Sequence, residues 1–288
     1  MLQYLVTGLA IGSLYALLGL GLALTYRSTN VLNFAQGEMA MLMAFVCYLG
    51  IAVLGLSPLV AMALTLLAGI VVGLLLYNLI IFPNRDRDHE SLAVVTLGMK
   101  LAITGLVAWV LGVEAREFPP IFGSENYMAF GLMISPGQFW TLVVGLVAMV
   151  AVTALLRFTS LGLAMRAAAE DVNVAQLLGI DLRVVGSVAW IAAVCLGAVT
   201  GVLLSATVLL SPYMMGLAIL KGFAALVLGG MTSVPGVIVG GLLVGVLESL
   251  VAYYLTPLLQ ESVALVLIIG ILLVRPQGLF GSVQAWRA

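Results

Sequence analysis

Nine apolar stretches, most of them about as long as a bilayer is thick, follow one another with only short polar punctuation between them. A hydrocarbon core about 30 Å thick takes roughly 20 apolar residues per helix. Reading each run to its breakers gives spans at 2–26, 33–54, 58–82, 91–112, 138–156, 186–210, 216–233, 236–256 and 260–274. Lipid offers no partners to backbone amides, so such runs are expected to be helices. The predicted fold is therefore all-α: one polytopic membrane domain over 1–288 with 8 to 9 transmembrane helices. The span 216–233 carries Lys221 and four glycines, which marks it as the member that could be re-entrant or broken.

Charge placement sets the orientation. Of 288 residues only 8% are charged, against about a quarter in soluble domains. Arg85 and Arg87 lie in the loop at 83–90, Arg157, Arg166 and Arg183 in the loop at 157–185, and Arg275 and Arg287 in the tail. The loop at 113–137 instead holds Glu114, Glu117 and Glu125 against Arg116 alone. Basic loops stay cytoplasmic, so nine crossings place Arg27, the basic segments and the C-terminus inside and the N-terminus outside. Residues 1–26 have no Lys or Arg before their apolar run and are too long for a signal-peptide core, which predicts a retained first helix.

Several function classes lack material. The net charge of −1 offers no basic stripe for nucleic acid. Cys47 and Cys195 sit in apolar runs and read as packing residues, and His89 is the single histidine, so neither a metal cluster nor a histidine-based triad can be assembled. No catalytic residue is assigned and no enzyme is expected. There is no Gly-x-x-x-x-Gly-Lys-Ser/Thr loop, so any ATP used is hydrolysed by another chain.

Glycines recur four apart at Gly8/Gly12, Gly69/Gly73, Gly197/Gly201, Gly236/Gly240 and Gly241/Gly245. Each pair lies on one helix face and lets backbones approach, either within the chain or against a second membrane subunit. No internal repeat is visible in the sequence.

Few polar groups fall at membrane depth. Asn33, Gln36 and Glu38 open the second span, and two readings of them stand: translocation-path residues, or a cap and dipole complement for the helix. Lys221 and Glu248 are further path candidates, and a pair between them cannot be derived from spacing. Lys100 lies ten residues into its span, where Thr96 and Thr104 could wet it.

The segment 157–185 is the most informative polar stretch. From Leu161 to Leu178 it is rich in helix formers, and Gly179 is a natural stop. A helix there would expose Arg166, Glu170 and Asp171 beside a ridge of Leu163, Ala167, Val174 and Leu178. That shape suits docking into a groove on a cytoplasmic partner, or lying on the lipid surface.

At these residues a resemblance becomes specific. Gly12-Ser13-Leu14-Tyr15-Ala16-Leu17, Val31-Leu32-Asn33-Phe34-Ala35-Gln36-Gly37-Glu38, Leu161-Gly162-Leu163-Ala164-Met165-Arg166-Ala167 and Leu178-Gly179-Ile180-Asp181 occur in family order. They are followed by Leu228-Gly229-Gly230-Met231-Thr232-Ser233-Val234-Pro235-Gly236 and Arg275-Pro276-Gln277-Gly278-Leu279-Phe280-Gly281. Together they resemble the permeases of branched-chain amino acid ABC transporters, and the smaller of the two paralogous permeases. The resemblance implies a bacterial inner-membrane importer working by alternating access. Its expected partners are two cytoplasmic ATPases that hold ATP-Mg, a second permease subunit (a paralogue or a copy) and an extracytoplasmic substrate-binding protein. It also places a coupling loop on Arg166, Ala169, Glu170, Asp171, Gly179 and Asp181. Gln36 stands where the family often has His, and Lys100 is not a residue expected there. The first departure keeps urea, short amides and other amino acids open as cargo. A stand-alone secondary transporter would need intramembrane carboxylates, for which only Glu38 and Glu248 are candidates.

Overall fold

A computed structural model describes residues 1–85, 87–122, 127–129 and 132–281. Two charges used in the orientation reading, Glu125 and Arg287, lie outside the described residues. The chain is helical almost throughout. Its helices are α1 (Leu2–Thr29), α2 (Gln36–Ala52), α3 (Pro58–Leu76), α4 (His89–Leu111), α5 (Pro136–Phe158), α6 (Ser160–Glu170), α7 (Val172–Leu177), α8 (Leu182–Ser205), α9 (Gly216–Gly229), α10 (Val234–Tyr254), α11 (Pro257–Gln260) and α12 (Ser262–Val274). A short antiparallel hairpin, β1 (Tyr127–Ala129) and β2 (Leu132–Ile134), precedes α5.

Among the described residues six helices are long and apolar enough to cross a membrane: α1, α3 with its extension to Asn84, α4, α5, α8 and α10. Helices α2, α9 and α12, with 17, 14 and 13 residues, reach only about 26, 21 and 20 Å at 1.5 Å per residue. Each of the nine apolar runs thus holds one of these nine helices, and α2, α9 and α12 fall short of a full bilayer span.

Helices α1 and α8 are mostly buried, whereas α3, α4 and α5 turn most of their surface outward. Close packing at the centre depends on the glycine pairs. A Cβ on Gly12 would sit 2.9 Å from the Gly241 carbonyl oxygen, and one on Gly8 2.9 Å from that of Gly245. No side chain fits there, so α1 and α10 touch backbone to backbone. Gly197 packs on Ala40 of α2, Gly73 on Ile191 of α8, and Gly240 on Gly229 of α9. All five pairs are therefore used within the chain.

The loops sort to two ends. At one end Tyr4 packs on Tyr253, Thr7 bonds Gln138, and Arg116 pairs backbone to backbone with Leu210. At the other end Arg27, Arg157, Arg166, Ser233 and Phe280 line one cavity.

Candidate functional site

The Asn33–Glu38 cluster is placed by a return of the chain after α1. α2 does not start level with the end of α1: Gln36 Nε2 donates to the Ala193 carbonyl at 2.9 Å, midway along α8, and its amide fills the space left by Gly21. The Ala35 amide donates to Asn33 Oδ1 at 3.1 Å, and Asn33 Nδ2 reaches Gln36 Oε1 at 3.4 Å. Thr96 of α4 ties down the same turn, donating to the Leu32 carbonyl and accepting from the Phe34 amide. Thr96 therefore holds backbone and does not wet Lys100.

α9 starts in the same way. After α8 ends at Ser205, Leu210 bonds Arg116 at the Met1 end, and the next turns lead inward until Met215 and Ile219 rest on Gly37. Two helix N-termini, of α2 and α9, thus meet inside the bundle. α1 and α8 run antiparallel, so the pair α1–α2 and the pair α8–α9 repeat one motif in opposite senses, which the sequence does not display. Such interrupted helices at mid-depth mark many transporter pathways.

Among the described residues two ion pairs lie inside the bundle. Lys221 Nζ is 3.0 Å from Glu248 Oε2 and donates to the Tyr15 hydroxyl at 3.1 Å; that hydroxyl donates to the same carboxylate oxygen at 3.0 Å. Glu248 is 1% exposed and Lys221 9%, so the charges must neutralise one another. Lys100 Nζ is 3.5 Å from Glu38 Oε1, with Glu38 buried and Lys100 partly exposed. Sequence reading named Lys221 and Glu248 but not Tyr15, the third member. Its signal was a phenol hydroxyl in the otherwise aliphatic run Leu14 to Leu18.

Tyr15 also lines a cavity of about 290 Å³ between α1, α5 and α8, with Thr7, Leu14, Gln138, Thr141 and Thr207. Its lining is apolar with hydroxyls and one amide, and carries no charge.

The 157–185 segment forms two helices rather than one. Asp171 is extended between them and its carboxylate accepts the Val174 amide at 3.0 Å, which stops α6 and starts α7. Gly179 takes φ +81, as its role as a stop requires. Arg166, Glu170, Asp171 and Asp181 are exposed, and Ala169 is half-buried. Leu177 and Leu178, at 87% and 74% exposure, form the tip. The underside is anchored: Met165 and Ala168 of α6 and Ala175 of α7 join the same core as Leu24, Leu156 and Val185.

Beyond Gly179 the segment is tied into the bundle. Asp181 Oδ1 accepts the Arg183 amide at 2.8 Å and caps α8. Arg183 Nε donates to Asn78 Oδ1 at 2.6 Å, and Asn78 Nδ2 donates to Ser187 Oγ at 3.0 Å. Asn78 sits in a π-helical turn, Tyr77–Ile81, that continues α3, a distortion often found at functional points. Asn78 was not singled out from sequence, and Arg183 was read only as an orienting charge.

These features define a multi-pass helical membrane protein with interrupted helices at its centre and an exposed helical elbow at one end. Residues 4–273 match the family described as the branched-chain amino acid transport system permease component, and the chain belongs to that family of transport permeases. It is 31% identical to the high-affinity branched-chain amino acid transport system permease protein LivH of Salmonella typhimurium, over 97% of this chain and 95% of that protein. It is also 31% identical to the probable branched-chain amino acid transport permease protein LivH of Methanocaldococcus jannaschii, over 93% and 89%. Among solved structures, PsaBC from Streptococcus pneumoniae in complex with Fab aligns with a TM-score of 0.47 at 12% identity, over 95% of this chain and 89% of that one.

Proposed function

We propose that this chain is the permease subunit of an ATP-binding-cassette importer that carries branched-chain or other small apolar amino acids across the bacterial inner membrane by alternating access. The carrying observation is the α6–α7 elbow, whose tip is exposed and whose underside packs on α1, α5 and α8. A push on Leu177 and Leu178 would travel through Met165 and Ala168 into the helices that line the uncharged cavity. Arg183 and Asn78 would carry the same motion to α3. In this reading 157–185 is the cytoplasmic coupling loop of a single 1–288 transmembrane domain, and Arg166, Ala169, Glu170, Asp171, Gly179 and Asp181 form its contact surface.

The chain crosses nine times, with the N-terminus outside and the C-terminus cytoplasmic. Segregation of the loops to two ends supports this count, with the turns before α2 and α9 completing two of the short crossings. Two ATPase subunits hold ATP-Mg and this chain binds no cofactor. A second permease, expected to be a paralogue, and an extracytoplasmic binding protein complete the importer.

Substrate passes through the cavity beside Tyr15 and between the N-termini of α2 and α9. Asn33, Gln36 and Glu38 hold one of those N-termini in place, and Lys221 with Glu248 braces the wall behind Tyr15. A path with no unpaired charge suits a cargo that must leave easily. Purified with candidate ATPases, a second permease and binding protein, the complex is expected to hydrolyse ATP faster when the binding protein carries leucine. Uptake that persists without the ATPases would overturn this reading.

A further inference from the structure

The cavity at the Arg27 end has a volume of about 460 Å³ and is lined by Arg27, Arg157, Arg166, Thr153, Thr232 and Ser233, among others. Three arginines line it from three separate helices, α1, α5 and α6. Among the described residues no carboxylate pairs with any of the three. Arg27 is half-buried, whereas Arg157 and Arg166 are exposed. Three positive charges around one space repel one another, and water screens the half-buried Arg27 least. The rest of the lining is suited to an anion. Thr232 adds a hydroxyl, and Ser233 caps α10, whose first turn carries positive dipole charge.

We propose that this cavity is a phosphate-binding site, with Arg27, Arg157 and Arg166 as the charged ligands and the Thr232–Ser233 turn as a neutral donor. Guanidinium groups match phosphate oxygens in pairs, and three of them exceed what a single carboxylate would take. The phosphate could be that of an anionic phospholipid headgroup or free in solution. The surroundings provide for the lipid. On α5 an exposed apolar stripe of Leu146, Val147 and Val150 runs down the face that ends at Arg157, and Phe280 stands half out of the bundle at the rim. Acyl chains laid along that stripe would bring a headgroup to the three arginines. Because Arg166 belongs to the α6 elbow and Arg27 and Arg157 to the bundle, a bound phosphate would fasten the elbow to the helices.

The test uses the full-length purified chain. Native mass spectrometry in the presence of dioleoylphosphatidylglycerol or dioleoylphosphatidylcholine is expected to show at least fivefold more retention of the anionic lipid. Arg157→Gln should reduce that preference, and Arg27→Gln with Arg157→Gln should abolish it. In a second arm, millimolar inorganic phosphate is added in lipid-free detergent and the melting temperature is followed. A rise that disappears in the double variant assigns the site to free phosphate, and a flat response beside selective lipid retention assigns it to the headgroup. Equal retention of both lipids by the wild type together with no phosphate response would overturn the proposal, and so would binding that survives the double substitution. The wild-type comparison stands without the variants, and Arg157, exposed at the end of α5, can be replaced alone if the double variant does not fold.

Discussion

Lys221 and Glu248 meet at 3.0 Å inside the bundle, with the Tyr15 hydroxyl bonded to both. Removing either charge leaves the other buried and unpaired, which costs about 3–5 kcal/mol. Lys221→Met or Glu248→Gln alone should therefore lower stability by roughly that amount, read as a large fall in melting temperature. The double variant should recover most of the loss. If the two single losses simply add, the pair is not the unit described here.

Contact between α1 and α10 predicts a sharp glycine dependence. At Gly241 an added Cβ would fall 2.5 Å from Ala16 Cα, and overpacking of this kind costs about 1–3 kcal/mol. Gly241→Ala should destabilise by that much. Gly270, in α12, has nothing within 4 Å of such a Cβ, so Gly270→Ala should be neutral or slightly stabilising through helix propensity. Thermal melts of the two variants side by side check the contrast.

The Gln36 latch should be measurable in the same way. Gln36→Leu keeps the volume but loses the bond to Ala193 and the contact with Asn33, each worth about 0.5–1.5 kcal/mol. Stability is expected to fall by about 1–3 kcal/mol. Gln36→Glu should fall further, because a carboxylate would face the Ala193 carbonyl. A Gln36→Glu variant as stable as wild type would mean that the amide is not held as described.

Coupling through Arg183 and Asn78 gives a prediction that separates linkage from folding. Arg183→Ala should reduce the stimulation of ATPase activity by loaded binding protein several-fold, with little change in melting temperature, since both side chains are largely outside the core. Asn78→Ala should do the same, and the double variant should be no worse than either. Stimulation that drops in two independent steps would count against a shared path.

The helices were legible because lipid removes every alternative to them, and each apolar run of this sequence contains one. Helix length was less so. Asn33 and Leu210 lie in segments whose composition reads as membrane span, yet the chain turns there before α2 and α9 begin, and hydropathy does not register a bend whose polar groups are satisfied inside the protein. Residues 161–178 read as a single helix where the structure has two, because Asp171 is unremarkable in a helix and acts as a cap only once its carboxylate meets the Val174 amide. The Lys221–Glu248 pair joins helices whose relative rotation no spacing rule supplies. Tyr15 was hidden for the same reason, and Asn78 because a π-helical turn has no sequence pattern of its own.

Tyr15 and Glu248 are separated by 233 residues. At a synthesis rate of about 5–20 residues per second, roughly 10 to 50 s pass between the emergence of the first and the second. During that interval α1 lies in the bilayer with its glycine face uncovered and its tyrosine unbonded. The most buried of the six long spans is thus the one that waits longest for its neighbour, and an insertion machine or chaperone able to shelter a bare small-residue face would find its substrate there.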